Sequence, residues 1–353
     1  MATSKSMQPL TNFGKIFWQN QFRTTIDLPD PSKLPNLHGK VAIVTGSNTG
    51  LGFEASKQLL ALGLSHLIVA VRSEQKGKAA ILALRKASSA ARIDVWRLDM
   101  ASYTSIQAFA QRCRAELPHV DLVVLKAGLS RTKFERAEST GHEMTMQVNH
   151  FGTALLTLLL LPILKSTLRH TGEPARLTVV NSLTAHLCKF PNRNEQPLLA
   201  SFDDTEIVPF DAQERYGVSK LINQLFLAKL TDMLPSENVV VNMVDPGLTK
   251  GTQLSRDATG VVRAGAKIFF SIAGRPVDRG AATYVDALLR MGAESHGCFL
   301  MNNKIAPLAG IYYGSEGPQI IDRIWKETLE EMRSHGMKIQ DAFDKASTST
   351  DIK

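Results

Sequence analysis

The sequence is short of cysteine: Cys113, Cys188 and Cys298 are its only three in 353 residues. An odd number of widely spaced thiols excludes a disulfide framework and a zinc-ligand spacing, and it fits a reducing compartment such as the cytoplasm. Long apolar runs are lacking as well. The most apolar stretch, residues 154–164, is too short to cross a bilayer and contains Pro162, so no integral membrane segment is expected. The N-terminus has no apolar core of a secretory signal. The formal charge is +8, yet no run of like charge and no basic strip interleaved with aromatics accompanies it, which argues against a nucleic-acid partner. A basic surface that attracts an anionic cofactor or substrate is the simpler reading.

What the chain does have is material for a core. Hydrophobic residues make up 44% and charged residues 21% of it, an ordinary globular balance. Residues 1–37 form an N-terminal extension carrying Phe13, Ile16, Phe17, Trp18 and Phe22 and closed by Pro29, Pro31 and Pro35. Packing back on its own domain is the favoured reading of that segment, over contact with a membrane or a partner. From Val41 onward, short apolar runs predict strands at Val41–Thr45, His66–Val71, Ile93–Leu98, Asp121–Leu125, Leu177–Asn181, Val239–Val244 and Gly297–Leu300. Helical stretches lie between them at Phe53–Leu62, Glu74–Ala87, Ser105–Glu116, Met144–Lys165, Glu214–Met233 and Pro276–Arg290. This alternation predicts an α/β fold, a Rossmann-type doubly wound parallel sheet in a single domain over residues 38–335, with a polar C-terminal tail over 336–353.

The first strand runs into Thr45-Gly46-Ser47-Asn48-Thr49-Gly50-Leu51-Gly52. Small residues let the backbone turn sharply and approach a ligand closely, and the helix that follows offers its N-terminus to a pyrophosphate. A glycine cluster is also what any tight strand–helix turn requires, so its position carries the argument. At the tip of the second strand stands Arg72, where an acidic residue would hold the ribose hydroxyls of NAD. An Arg there suits a 2′-phosphate and points to NADP(H); the alternative is a solvated side chain. Asp99, beside Met100 at the end of the third strand, could accept from an adenine amino group or cap the next helix.

Tyr216 and Lys220 lie four residues apart at the start of a helix, so phenol and ammonium share a face. A cation beside a phenol lowers its pKa toward neutrality, which suits a group that exchanges protons with a carbonyl oxygen. Ser182 ends a strand on the carboxyl edge, where its hydroxyl could hydrogen-bond a developing alkoxide. Asn149, inside a long helix, needs partners for its amide, and holding a water next to Lys220 is one solution.

In order along the chain, the Gly46–Gly52 loop, Ala127-Gly128, Asn149, Ser182, Tyr216 with Lys220, and Asp245-Pro246-Gly247-Leu248-Thr249 resemble the short-chain dehydrogenase/reductase family over residues 39–307. Arg72 with Lys76-Gly77, Gly141-His142-Glu143 before Val148-Asn149-His150, and Ser295-His296-Gly297 are similar to the retinol-dehydrogenase-like branch and to reductases of fungal secondary metabolism. The resemblance implies that Tyr216 is the general acid/base and that Lys220 binds the nicotinamide ribose and depresses the Tyr216 pKa. It implies further that Ser182 orients the carbonyl, Asn149 holds a relay water, and Pro246, Gly247, Leu248 and Thr249 line the carboxamide. The substrate would be a fairly apolar small-molecule ketone, aldehyde or alcohol, and a homodimer or homotetramer would fit the long helices.

Two features depart from the family pattern. Lys126 stands where Asn usually precedes Ala127-Gly128, next to the adenosine; it could weaken the site or reach a phosphate. Ser182 and Tyr216 are 34 positions apart, and the added loop, with Phe190, Phe202 and Phe210, is expected to shape the substrate pocket. An apolar stretch at 261–273, with Val262, Ile268, Phe269, Phe270 and Ile272, reads equally as a lid or as core. Two other function classes stay open: a non-redox isomerase, cyclase or dehydratase, and an NADP(H)-binding regulator.

Overall fold

A computed structural model describes residues 3–86, 88, 90–251, 271–339 and 342–343. In chain order the main elements are α1 (Phe13–Trp18), β1 (Val41–Thr45), α2 (Gly50–Ala61), β2 (His66–Val71), α3 (Glu74–Leu84), β3 (Arg92–Arg97) and α4 (Tyr103–Glu116). There follow β4 (Leu122–Leu125), α5 (Met144–Thr171), β5 (Ala175–Val180), α6 (Ala212–Asp232) and β6 (Val239–Asp245). The series ends with α7 (Val277–Leu289), β7 (Phe299–Met301), β8 (Lys304–Ala306) and α8 (Gly317–Ser334). The strands form one sheet in the order β3-β2-β1-β4-β5-β6-β7-β8, parallel up to β7 and antiparallel at β8.

All five residues of β1 are buried, because helices cover both faces of a parallel sheet. Val41 and Ile43 turn to one side, joining Ile68, Trp96, Phe109, Leu155 and Leu225 under α4, α5, α6 and α8. Ala42 and Val44 turn to the other, with Leu51, Leu59 and Tyr284 of α2 and α7. The apolar helix α5 is mostly buried in this core. Side chains punctuate the helix starts: Ser73, Ser102 and Asp211 each accept a hydrogen bond from the backbone three residues on. The Asp211 cap fixes where α6 begins, and so places Tyr216 and Lys220 in its first turns.

The chain leaves β1 toward β2 on one side and returns to β4 on the other. That reversal opens a crevice at the carboxyl ends of the strands. Of the N-terminal extension, Phe17, Asn20 and Gln21 reach this crevice. Ser4 Oγ donates to Ala306 O and accepts from Phe299 N, Tyr313 OH donates to Ser4 O, and Ile26, Leu34 and Leu37 are buried. Of its aromatics, Trp18 and Phe22 stay exposed. At the other end Met337, Ile339 and Ala342 are buried, so the core reaches into the segment expected to be a polar tail. Of the apolar stretch 261–273, Val262, Ile268, Phe269 and Phe270 lie outside the described residues, while Ile272 is exposed and Ala273 buried.

Where α5, α8 and the loop before α6 meet, His142 sits between two carboxylates, Nδ1 2.8 Å from Asp203 and Nε2 2.9 Å from Glu331, with its ring stacked on Phe151. Burial opposes the imidazolium, but these two acids outweigh it and raise His142 from 6.5 to about 9. The folded protein therefore holds a proton there that the unfolded chain releases above its own pKa of 6.5. The stabilisation is complete below that value and is lost as pH rises through about 9. Between pH 7 and 9.5 the melting temperature should fall by roughly 3 °C more in the native protein than in His142→Gln. Parallel melting curves for the two proteins would count against this assignment.

Candidate active site

The crevice is a cleft of about 1690 Å³. Its floor begins with the turn after β1. Gly46 has φ +65°, a conformation side-chain-bearing residues avoid, and a Cβ on Gly52 would lie 2.7 Å from Gly46 O. Only glycine lets helix and turn approach so closely. Ser47 Oγ donates to Val44 O, and Thr45 Oγ1 accepts from the backbone N–H groups of both Lys126 and Ala127, tying this turn to the one after β4. Gly46, Asn48, Thr49, Gly50 and Leu51 line the cleft with Arg72, Ser73, Lys76, Asp99, Met100, Lys126, Ala127 and Gly128. Asp99 turns one oxygen to Ala101 N, and Ser102, not Asp99, caps the next helix.

This wall fits a dinucleotide. A glycine cradle opens onto the start of α2, whose first backbone N–H groups are suited to a pyrophosphate. Arg72 and Lys76 supply two cations at the far end. Near the opposite end, Tyr284 OH is buried on the cleft wall with no hydrogen-bond partner among the described residues.

Ser182, Tyr216 and Lys220 meet on the cleft wall beyond β5. Ser182 Oγ accepts from Thr184 N and Thr184 Oγ1, at 3.2 and 3.0 Å, and lies near enough to the Tyr216 phenol to influence its proton. Lys220 is buried and its Nζ donates to Val180 O at 2.9 Å, 5.8 Å from the centre of the Tyr216 ring. Asn181, directly before Ser182, donates from its amide to Lys220 O and accepts from Ser182 N. Sequence reasoning missed its role, although an Asn at the end of a β-branched buried strand was a signal.

Electrostatics at the centre differ from the expectation. Burial, and then the Asp245 carboxylate, push the Tyr216 phenol above its ordinary 10, with Ser182 pulling the other way. Lys220, expected to depress the phenol, is itself brought down to about 8 by burial and by the nearby Lys126 charge. Asp245, at the tip of β6, is raised by burial, against the pull of Arg275 and of backbone N–H groups from Leu183 and Gly247. Burial first, and then the carboxylate of Asp245, thus set the direction of the phenol's shift.

Asn149 lies in a π turn, Gln147–Phe151, within α5. Its Oδ1 accepts from Leu129 N at 2.9 Å and its Nδ2 donates to Leu129 O and to Ser219 Oγ, at 2.8 and 3.0 Å. It therefore ties the segment after β4 to α6. A Cβ on Gly128 would come within 3.1 Å of Asn149 Oδ1 and 3.6 Å of Lys220 Nζ, so the glycine keeps the space between those groups open.

The three phenylalanines of the 183–213 loop do not line the cleft. Phe190 and Phe202 are buried and stacked on each other, while Arg215 lies over Phe202 and Phe210. Buried Arg215 and Glu143 are paired, and this loop folds its rings around the pair. Leu187, Cys188, Lys189 and Pro191 reach the cleft instead. Pro246, Gly247, Leu248 and Thr249 close it on the β6 side, together with Phe17, Asn20 and Gln21 of the N-terminal extension.

The sequence pattern of the short chain dehydrogenase family matches residues 40–188. A short chain dehydrogenase/reductase of Annulohypoxylon moriforme, mfmJ, is 49% identical over 333 residues, 94% of this chain and 95% of its own. The short chain dehydrogenase virL of Hypocrea virens is 43% identical over 87% of this chain and 89% of its own. Among solved structures, the NADPH-bound carbonyl reductase from chicken fatty liver superposes with a TM-score of 0.56 at 19% identity, over 77% of this chain and 100% of that one, a likeness of fold.

Proposed function

The chain belongs to the short-chain dehydrogenase/reductase family, and on that premise we propose that it is an NADP(H)-dependent cytoplasmic oxidoreductase that interconverts a carbonyl and an alcohol on a fairly apolar small molecule. A polyketide-type intermediate of fungal secondary metabolism is the substrate class in view. The observation that carries the reading is the convergence of Ser182, the Tyr216 phenol and buried Lys220 on one wall of the cleft.

In this reading the bound nicotinamide supplies or accepts the hydride. Tyr216 holds a proton at its hydroxyl and delivers it to the oxygen that gains negative charge, while Ser182 donates to the same oxygen. A phenol at or above its ordinary pKa is protonated at neutral pH, the form that can donate to a developing alkoxide. Lys220 spends one proton on Val180 O, leaving two for ribose hydroxyls. Arg72 and Lys76 would hold the 2′-phosphate, the Gly46–Gly52 turn the pyrophosphate, and Asp99 with Met100 the adenine. Pro246 to Thr249 would meet the carboxamide. Lys126 adds a cation on the same wall.

Loss of NADPH absorbance on adding a panel of ketones and aldehydes tests the proposal. Absence of turnover across the panel, with NADPH still bound, would favour an isomerase, cyclase or dehydratase. A pH dependence follows as well. Lys220 at about 8 loses its charge before Tyr216 loses its proton. Reduction should therefore decline with a midpoint near pH 8, and Lys220→Arg, permanently charged, should move that midpoint up by about one unit or more. An alkaline limb unchanged in Lys220→Arg would assign it to another group.

A further inference from the structure

The loop that closes the cleft on the β6 side is held from outside the region matched by the family pattern. Gln21 lies in a π turn, Gln19–Arg23, that extends α1. Its amide makes three hydrogen bonds: Nε2 donates to Leu248 O and to Ala273 O, both at 2.8 Å, and Oε1 accepts from Leu248 N at 3.2 Å. A primary amide can satisfy one residue's N–H and C=O together, as a neighbouring strand would, and this one also joins a second segment. Beside it, Arg275 Nη2 donates to Asn20 O and to Asn302 Oδ1, while a Cβ on Gly247 would lie 2.7 Å from the Arg275 Cζ. Gly247-Leu248 is thus gripped by Gln21 from the extension and by Arg275 from the segment before α7. The family pattern covers residues 40–188, so neither the extension nor the loop it holds lies within the matched region.

We infer that Gln21 is a positioning residue for the nicotinamide half of the cofactor, acting through Leu248, and that the N-terminal extension is a working part of the site. Other turns of the cleft are braced from within the domain: Thr45 ties the turns after β1 and β4, and Asn149 braces the segment after β4. The loop at 246–249 is braced from both sides, by the backbone bridge between Thr249 and Arg275 and by the side chain of Gln21 from the extension. Loosening it leaves the adenosine end, lined by residues of other strand ends, with its own supports.

The inference rests on the dinucleotide reading, so its test separates the two. Affinities of the full-length protein are measured for NADPH and for adenosine 2′,5′-bisphosphate, which lacks the nicotinamide half, in the native protein, Gln21→Met and Gln21→Glu. Met fills the space and loses all three bonds; Glu keeps an acceptor for Leu248 N and sets charge against two carbonyls. Both variants should weaken NADPH about tenfold and leave the bisphosphate within about twofold. Equal weakening of both ligands, or of neither, in variants whose melting curves match the native protein would overturn the inference. A native protein that prefers NADH would overturn the 2′-phosphate assignment alone, and the same comparison of NADH with ADP-ribose would then decide the role of Gln21. A native protein that binds neither dinucleotide would overturn both.

Discussion

Tyr216→Phe is expected to lower the kcat of carbonyl reduction by roughly a thousandfold while leaving the affinity for NADPH within about threefold. The substitution removes one oxygen from a side chain whose ring remains against Lys220, so shape and cofactor contacts are retained. What is lost is the proton at the point where negative charge develops, together with the phenol's interaction with Ser182. Ser182 can still donate to the substrate oxygen, which is why some turnover should survive. Single-turnover NADPH oxidation with the best substrate from the carbonyl panel measures the step directly. A variant with native single-turnover rate would remove Tyr216 from the chemistry.

Arg72→Glu is the second large effect. Arg72 is exposed at the tip of β2 and lines the cleft with Ser73 and Lys76. A charge-assisted contact to a phosphate exchanged for a repulsion should weaken NADPH by roughly fiftyfold, while NADH, without the phosphate, should change little or improve. Nicotinamide fluorescence titrations of both dinucleotides give the ratio. If the two affinities shift in parallel, Arg72 does not read the 2′-phosphate.

The parts of this protein that follow from period and turn chemistry were readable in advance. Val41–Thr45 and His66–Val71 have the expected bounds, because continuous β-branched runs between turn residues leave little choice. β5 starts at Ala175, two residues before the first expected position, because Ala and Arg carry weak strand signals. Three-residue β8 offers no period to detect, whereas α8 displayed a helical stripe of Ile320, Ile324 and Met332 that could have been found. The convergence of Ser182, Tyr216 and Lys220 follows from the sheet edge. The direction of the Tyr216 shift does not, since it depends on burial and on Asp245, which arrives from another strand. The phenylalanines of the 183–213 loop read as pocket because hydrophobicity cannot tell a buried ring from a ligand-facing one; their partner, Arg215, lies beyond the loop. Gln21 was invisible for a similar reason: its partners are more than 220 residues away.

That separation also governs the order in which the protein can be completed during synthesis. Ser4, Asn20 and Gln21 are made before any strand of the sheet, yet they bond to Phe299, Ala306, Asn302 and Leu248. The β1–β4 region can assemble while translation continues, but the extension must wait for the chain's last third before it can dock. The cleft acquires its β6-side wall only after residues beyond 245 have been made, so a chain that has reached only α6 has Ser182, Tyr216 and Lys220 without that enclosure.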